Sequence, residues 1–333
     1  MHLNSNLPKK ILSWYDNNKR NLPWRVSINS PKKLYYRLLS EFMLQQTQVK
    51  TAIPYFNKFT KKFKTLKELS KCSEKEILKL WEGLGYYRRA RNLLASSKLL
   101  VRKYNSKLPY EIDEIKKLPG IGDYTANALL GLIHDQPTIA VDGNVKRVFA
   151  RNLNKKKEKI NFKKLFLTNS KNLFNTNRNA DFVEALMEFG ALTCKPKDPI
   201  CGNCCLNKSC KYFKSSYKIT TTNKKKVKEM NYDIFCYLNK KKQIALTKEN
   251  KIGFLKNFNL PEIKKMKNIS ENKNWKYLGS YKNSISNLKL NINLYYRFSN
   301  KIPSAYNWYL LKDNKEFIPS FTKKIFKQVS ILF

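Results

Sequence analysis

The sequence predicts a mainly α-helical amino-terminal portion followed by a smaller α+β domain, and three observations carry that prediction. Up to about Phe213 the apolar residues recur at helical spacing, as in Ile77, Leu80, Trp81 and Leu84, or Leu93, Leu94, Leu99, Leu100 and Tyr104. Residues 214–230 then turn polar and lysine-rich with no periodic apolar face, which reads as a linker. Beyond them, residues 232–238, 243–247 and 288–298 are short, alternating and rich in β-formers, and residues 317–332 close the chain with a helical pattern. The expected division is a helical domain at 1–213, a linker at 214–230 and an α+β domain at 231–333.

Composition narrows the partners. With 333 residues, 42% of them hydrophobic, the chain can bury a substantial core. Its 67 Lys and Arg against 24 Asp and Glu give a formal charge of +43, which suits DNA, RNA or an anionic membrane. Only 11 of those cations are Arg, so part of the excess is a compositional preference for Lys. Residues 1–25 lack the apolar core of a secretory signal, and no uncharged apolar stretch of about 18 residues occurs. A soluble, cytoplasmic protein with no membrane partner is therefore expected. In that compartment seven cysteines, five of them within 194–210, point to metal or cluster ligation rather than disulfides.

The motifs follow in chain order. In S-E-F-M-L-Q-Q-T-Q-V, residues 40–49, Glu41 interrupts the apolar run of Leu38, Leu39, Phe42, Met43 and Leu44. A carboxyl so placed is half buried, which raises its pKa and lets it hold a proton near neutrality. Residues 112–118 and 124–132 read as two helices joined by Pro119-Gly120-Ile121-Gly122. Its glycines permit a tight turn that brings backbone N–H groups up to a phosphate. Asp142, in I-A-V-D-G-N-V-K-R-V, lies 20 residues beyond Gly122, just before a helix that begins near Asn144. It reads either as a helix cap or as a working carboxylate. Arg88, Arg89 and Arg91 either touch phosphates or cover a solvated face. Finally, Cys194, Cys201, Cys204 and Cys210 follow a C-x6-C-x2-C-x5-C pattern, which suits zinc or a [4Fe-4S] cluster. Four protein ligands leave no open position for substrate, so a structural role is expected.

Taken in order, L-P-W-R, S-E-F-M-L-Q-Q-T-Q-V, W-E-G-L-G-Y-Y-R-R-A-R-N-L, L-P-G-I-G-D-Y-T-A and V-D-G-N-V-K-R-V resemble the MutY family of helix-hairpin-helix adenine DNA glycosylases over about residues 7–212. The cysteine spacing resembles the [4Fe-4S] loop of that family and of endonuclease III. The resemblance implies a six-helix barrel with an iron-sulfur domain, then a Nudix-like domain. It implies that Glu41 protonates the departing adenine, that Asp142 stabilises the sugar cation, and that Asn144 orients the aspartate or a water. Tyr124 stands where the endonuclease III branch carries a lysine, so the Schiff base of a lyase is not available. By the same resemblance Gln46 and Tyr86 fill the gap left by a flipped base, while Arg20, Trp24, Arg25, Leu44 and Glu184 line the adenine pocket. The implied substrate is double-stranded DNA with adenine opposite 8-oxoguanine or guanine, bound by a monomer associated with the nucleoid. The family's F-S-H loop corresponds to Ile285-Ser286-Asn287, which keeps only Ser286 for the opposite base. No acidic Nudix box is present. Two alternatives stand beside this reading: an endonuclease III-like glycosylase with lyase activity, and a non-catalytic DNA-binding iron-sulfur or zinc protein.

Overall fold

Helix formation in the first two-thirds follows the apolar spacing. The computed structural model describes residues 3–27, 29–215, 228–249, 255–256, 258–265, 274–285, 288–312 and 317–333. The chain divides into two units, residues 1–80 with 86–221 and residues 81–85 with 222–333.

In the first unit the helices are α1 (Leu7–Asn18), α2 (Lys33–Leu44), α3 (Val49–Lys62), α4 (Leu66–Lys71), α5 (Glu74–Leu80), α6 (Arg88–Lys103) and α7 (Ile112–Lys116). They continue with α8 (Asp123–His134), α9 (Gly143–Asn152), α10 (Phe162–Thr168), α11 (Ser170–Leu173), α12 (Asn179–Leu192) and α13 (Lys211–Lys214). The expected hairpin is α7 and α8. Two helices matter most for the site. The sequence of α2, KLYYRLLSEFML, holds no Gly, Pro or β-branched residue, so nothing in it opposes the helix. It packs against α3, α6 and α8, and every residue from Leu38 to Met43 is buried. A helix enclosed on nearly all sides carries its few polar side chains inside with it. The other, α12, packs against α1, α8 and α9 and buries Phe182, Leu186 and Phe189 in a core shared with Ile11, Tyr15 and Phe149.

Among the described residues of the second unit six strands form one mixed sheet: β1 (Lys228–Asn239), β2 (Gln243–Leu246), β3 (Glu262–Lys265), β4 (Lys276–Ile285), β5 (Leu288–Phe298) and β6 (Asn307–Leu310). The order is β4-β5-β1-β2-β6, with β3 also paired to β1. The β1–β5 pairing is parallel, in register from Lys228 with Leu288 to Leu238 with Phe298, and the other pairings are antiparallel. Alternation puts Ile234, Cys236, Leu238, Ile292 and Leu294 on one buried face. The last helix, α14 (Ser320–Val329), buries Phe321, Ile325, Phe326 and Val329. Three strands match the expected runs, whereas β3, β4 and β6 went unread in the sequence. Most of the expected linker, 216–227, and Ser286 lie outside the described residues.

Candidate active site

Elements far apart in sequence deliver ionisable side chains to one buried place. Glu41 projects from α2 and is 6% exposed. Burial pushes its carboxyl from the ordinary 4.5 up to about 7; Arg37 opposes the rise, Glu184 and Asp142 add to it, and a hydrogen bond with Tyr124 opposes it. The result is a carboxylic acid that still holds its proton close to neutral pH. Tyr124 is the second residue of α8. Its hydroxyl donates to Met187 Sδ at 3.3 Å and lies close enough to Glu41 for the two to influence each other's titration. Burial, then the charges of Glu41 and Asp142, raise the phenol well above its usual range, so it remains a neutral donor.

Asp142 is the N-cap of α9 and accepts from Val145 N at 2.7 Å. Its other oxygen accepts from Asn144 Nδ2 at 2.8 Å. Burial raises its pKa while these hydrogen bonds and Arg147 restrain the rise. The capping geometry and the electrostatic contact with Glu41 thus belong to the same carboxylate. Asn144 is itself held: its Oδ1 accepts from Arg147 Nη2 at 2.8 Å, and Arg147 also donates to Gly190 O and Cys194 O, each at 2.7 Å. Gly190 allows the close crossing of α12 over α9, because a Cβ there would stand 2.6 Å from Asn144 Cβ.

Beside Glu41 runs a buried ionic network. Glu184, 7% exposed, accepts from Arg37 at both oxygens, from Arg25 Nε at 3.0 Å and from the Tyr15 hydroxyl at 2.8 Å. Glu188 takes the Arg20 fork through Nε at 2.8 Å and Nη2 at 2.7 Å, and also meets Arg25 Nη2 at 3.1 Å. Despite burial, which acts the other way, these guanidiniums hold both carboxyls below their usual range. Trp24 is buried edge-on against Phe56, and Leu44 is half-buried at the end of α2. Sequence reasoning missed Tyr15, Arg37, Arg147 and Glu188. Arg37 carried a signal, as a cation inside an apolar helical run.

Gln46 and Tyr86 share an unusual backbone. Both have positive φ, 59° and 49°, a region that side chains other than glycine enter at a cost. Both are also exposed, Tyr86 at 40%. Arg89 holds the first of these loops: its Nη1 donates to Met43 O at 2.9 Å, to Thr47 Oγ1 at 3.0 Å and to Gln45 O. At 6% exposure it caps the carbonyl end of α2, so it takes neither of the two places, phosphate contact or solvated face, that the sequence left open for it. Arg91 is paired to Glu74 at 2.7 Å.

The hairpin turn is exposed at Gly120 and Gly122, half-buried at Pro119 and anchored by Ile121, which is buried. Gly120 has φ 82°, and a Cβ there would meet Asn92 Nδ2 at 2.5 Å, so only glycine fits. Gly122 then starts α8, whose first turn delivers Tyr124 to Glu41. Cys194, Cys201, Cys204 and Cys210 line one pocket, with Cys205 outside that lining. Arg151 secures the loop by donating to Lys195 O at 2.6 Å and Pro196 O at 2.9 Å. Through Arg147 the same loop reaches Asn144.

Comparison with known proteins fits this geometry. Residues 39–170 match the family model described as HhH-GPD superfamily base excision DNA repair protein. An adenine DNA glycosylase of Buchnera aphidicola subsp. Baizongia pistaciae is 36% identical over 326 residues, covering 91% of this chain and 90% of that protein. This chain belongs to the adenine DNA glycosylases. The human adenine DNA glycosylase is 36% identical over 208 residues, which are 60% of this chain and 38% of that one. Among solved structures, a thermostable thymine-DNA glycosylase superposes with a TM-score of 0.55 at 28% identity, covering 62% of this chain and 94% of that one. This adenine DNA glycosylase is accordingly an enzyme of base excision repair. No helix among its described residues is long and apolar enough to cross a membrane.

Proposed function

We propose that this glycosylase is monofunctional, hydrolysing the N-glycosidic bond of adenine opposite 8-oxoguanine or guanine in duplex DNA. The observation that carries the proposal is Glu41, a buried carboxyl raised to about 7 with Tyr124 and a second carboxylate, Asp142, beside it. Cleavage of this bond needs an acid for the leaving base and negative charge beside an oxocarbenium-like sugar. Glu41 gives its proton to a ring nitrogen of the departing adenine. Asp142, kept in place by Val145 N and Asn144, stabilises the sugar cation until water adds to it. Tyr124 orients the Glu41 carboxyl and, having no amine, forms no Schiff base. Gln46 and Tyr86 enter the duplex where the base leaves. Arg20, Trp24, Arg25, Leu44 and Glu184 shape the adenine pocket, and the turn Pro119-Gly120-Ile121-Gly122 offers its N–H groups to phosphate.

The four cysteines fit a [4Fe-4S] cluster. They line one pocket, and four thiolates in one loop are the donor set that such a cluster takes. When bound, the cluster supplies a rigid crosslink for residues 194–210. The second unit is assigned to the opposite base as a Nudix-like domain, with Ser286 as its contact.

A single-turnover assay on duplexes with adenine opposite 8-oxoguanine, analysed with and without alkali, tests the reaction. Strand breaks only after alkali support it; cleavage without alkali that borohydride traps would sink it. Absorbance near 400 nm that bleaches on reduction or oxidation distinguishes the cluster from zinc.

A further inference from the structure

Arg37 lies on α2 four residues before Glu41, which puts the two on one face with Cβ atoms about 5–6 Å apart. Its side chain is 8% exposed. Both terminal nitrogens engage Glu184, Nη1 on Oε1 and Nη2 on Oε2 at 3.1 Å, while Nε is buried with no hydrogen-bond partner. A buried donor left unpaired is destabilising, so this guanidinium does not sit here for the sake of stability alone. Nor does Glu184 depend on it for neutralisation, since Arg25 and Tyr15 already donate to that carboxylate.

The charges of the network make the point sharper. Arg20, Arg25 and Arg37 face Glu184 and Glu188, which leaves one positive charge in surplus, and the next carboxyl along α2 is Glu41. Four groups act on Glu41: Arg37 on its own helix, Tyr124 from α8, Asp142 from the loop before α9 and Glu184 from α12; Arg89 of α6 lies at the end of the same helix, spent on Phe42 O and Met43 O. Of these four, only Arg37 is cationic.

We infer that Arg37 is a positioning residue for the glycosylase reaction: it clamps Glu184 and sets the surplus positive charge of the network against Glu41, limiting the pH range over which the acid is loaded. The inference rests on the reading of Glu41 as the acid. Without Arg37, Glu41 faces Asp142 and an Arg25-paired Glu184 with no cation on its own helix, so it keeps its proton to higher pH.

The test is the pH profile of single-turnover excision by the full-length enzyme, at saturating concentration, between pH 5.5 and 9.5. Arg37→Met is expected to move the alkaline limb upward by about one pH unit, in line with the shifts that a single close charge produces. Arg37→Gln keeps a donor for Glu184 but no charge, and shows the same displacement if the Met variant does not fold. Arg37→Lys restores the limb to its original position. A uniform loss of rate at every pH in both uncharged variants, with the limb unmoved, would overturn the inference. Excision that survives in Glu41→Gln would instead reject the acid reading itself, so the two failures are distinguishable.

Discussion

Arg147 holds Asn144: its Nη2 donates to Asn144 Oδ1 at 2.8 Å, while Asn144 Nδ2 donates to Asp142 Oδ2 at the same distance. The same guanidinium donates to Cys194 O, so the cysteine loop and the carboxylate are joined by one side chain. Arg147→Met should lower single-turnover excision by roughly 10–100-fold, the range seen when groups that orient a reacting site are lost, while the Kd for DNA changes by only a few fold. A rate within twofold of wild type would remove Arg147 from the site.

Glu41 sets a pH dependence in two quantities, and their signs differ in origin. Its carboxyl must be protonated to act as acid, so excision should be steady below pH 7 and fall tenfold per unit well above it. Stability moves with the same titration. The folded pKa of about 7 exceeds the ordinary 4.5, so the native state binds the proton more tightly than the unfolded chain. Stability is therefore full below pH 4.5, declines as pH rises towards 7 and stays reduced above it. The reduction is about 3 kcal/mol at most. Glu41→Gln removes that penalty, and at pH 8 it should raise Tm by roughly 5–10 °C while abolishing excision. A thermal melt at pH 5 and at pH 8 checks this, since the gain should vanish at pH 5.

Arg89 is expected to matter for folding more than for phosphate. It places one nitrogen among Met43 O, Gln45 O and Thr47 Oγ1, satisfying carbonyls that the end of α2 leaves free. Hydrogen bonds to a charged group are worth about 1.5–3 kcal/mol each, so Arg89→Met should cost on the order of 3 kcal/mol in urea unfolding. The salt dependence of DNA binding should keep its slope, whereas loss of a phosphate contact would flatten it by about one unit.

Much of this was legible before folding, because the decisive features are periodic or local. The burial of the run around Glu41, the hairpin turn and a helix starting near Asn144 all follow from side-chain spacing and cap chemistry. Strand β4, K-Y-L-G-S-Y-K-N-S-I, was not legible: Gly, Ser and Asn weaken its β signal, and it becomes a strand by pairing with β5 around an irregularity at Gly279. β3 and β6 are four-residue strands too short to show alternation. In the site, Glu41 stood out as a carboxyl in an apolar run, but its neighbours did not. Arg147, Glu188 and Tyr15 matter through contacts that join α9, α12, α1 and the segment after α1, and no local pattern marks a residue whose partner is more than 40 positions away.

Gly190→Ala separates helix propensity from packing. In the interior of α12, alanine would ordinarily stabilise by up to about 1 kcal/mol. Here the added methyl would lie 2.6 Å from Asn144 Cβ and 3.2 Å from its Cα, and backbone cannot swing away as a flexible side chain can. The clash should win, lowering excision at least tenfold through displacement of Asn144 and lowering Tm. A stabilised variant of normal activity would show that the crossing of α9 and α12 is looser than it stands.

Tyr124→Lys tests the absence of lyase chemistry most directly. Tyr124 projects from α8 to the Glu41 carboxyl and feels the charge of Asp142, so a lysine there would bring an amine beside the sugar carbon that loses adenine. Burial disfavours its ammonium form, which leaves part of the population as the nucleophilic free amine. That amine would attack the sugar carbon as the base departs and lose a proton, opening the ring to a Schiff base. The variant should therefore nick the strand without alkali and form a covalent adduct with DNA under borohydride, while the parent enzyme does neither. Should it still excise adenine but give no adduct, the side chain at position 124 does not reach the sugar, and its role narrows to holding Glu41.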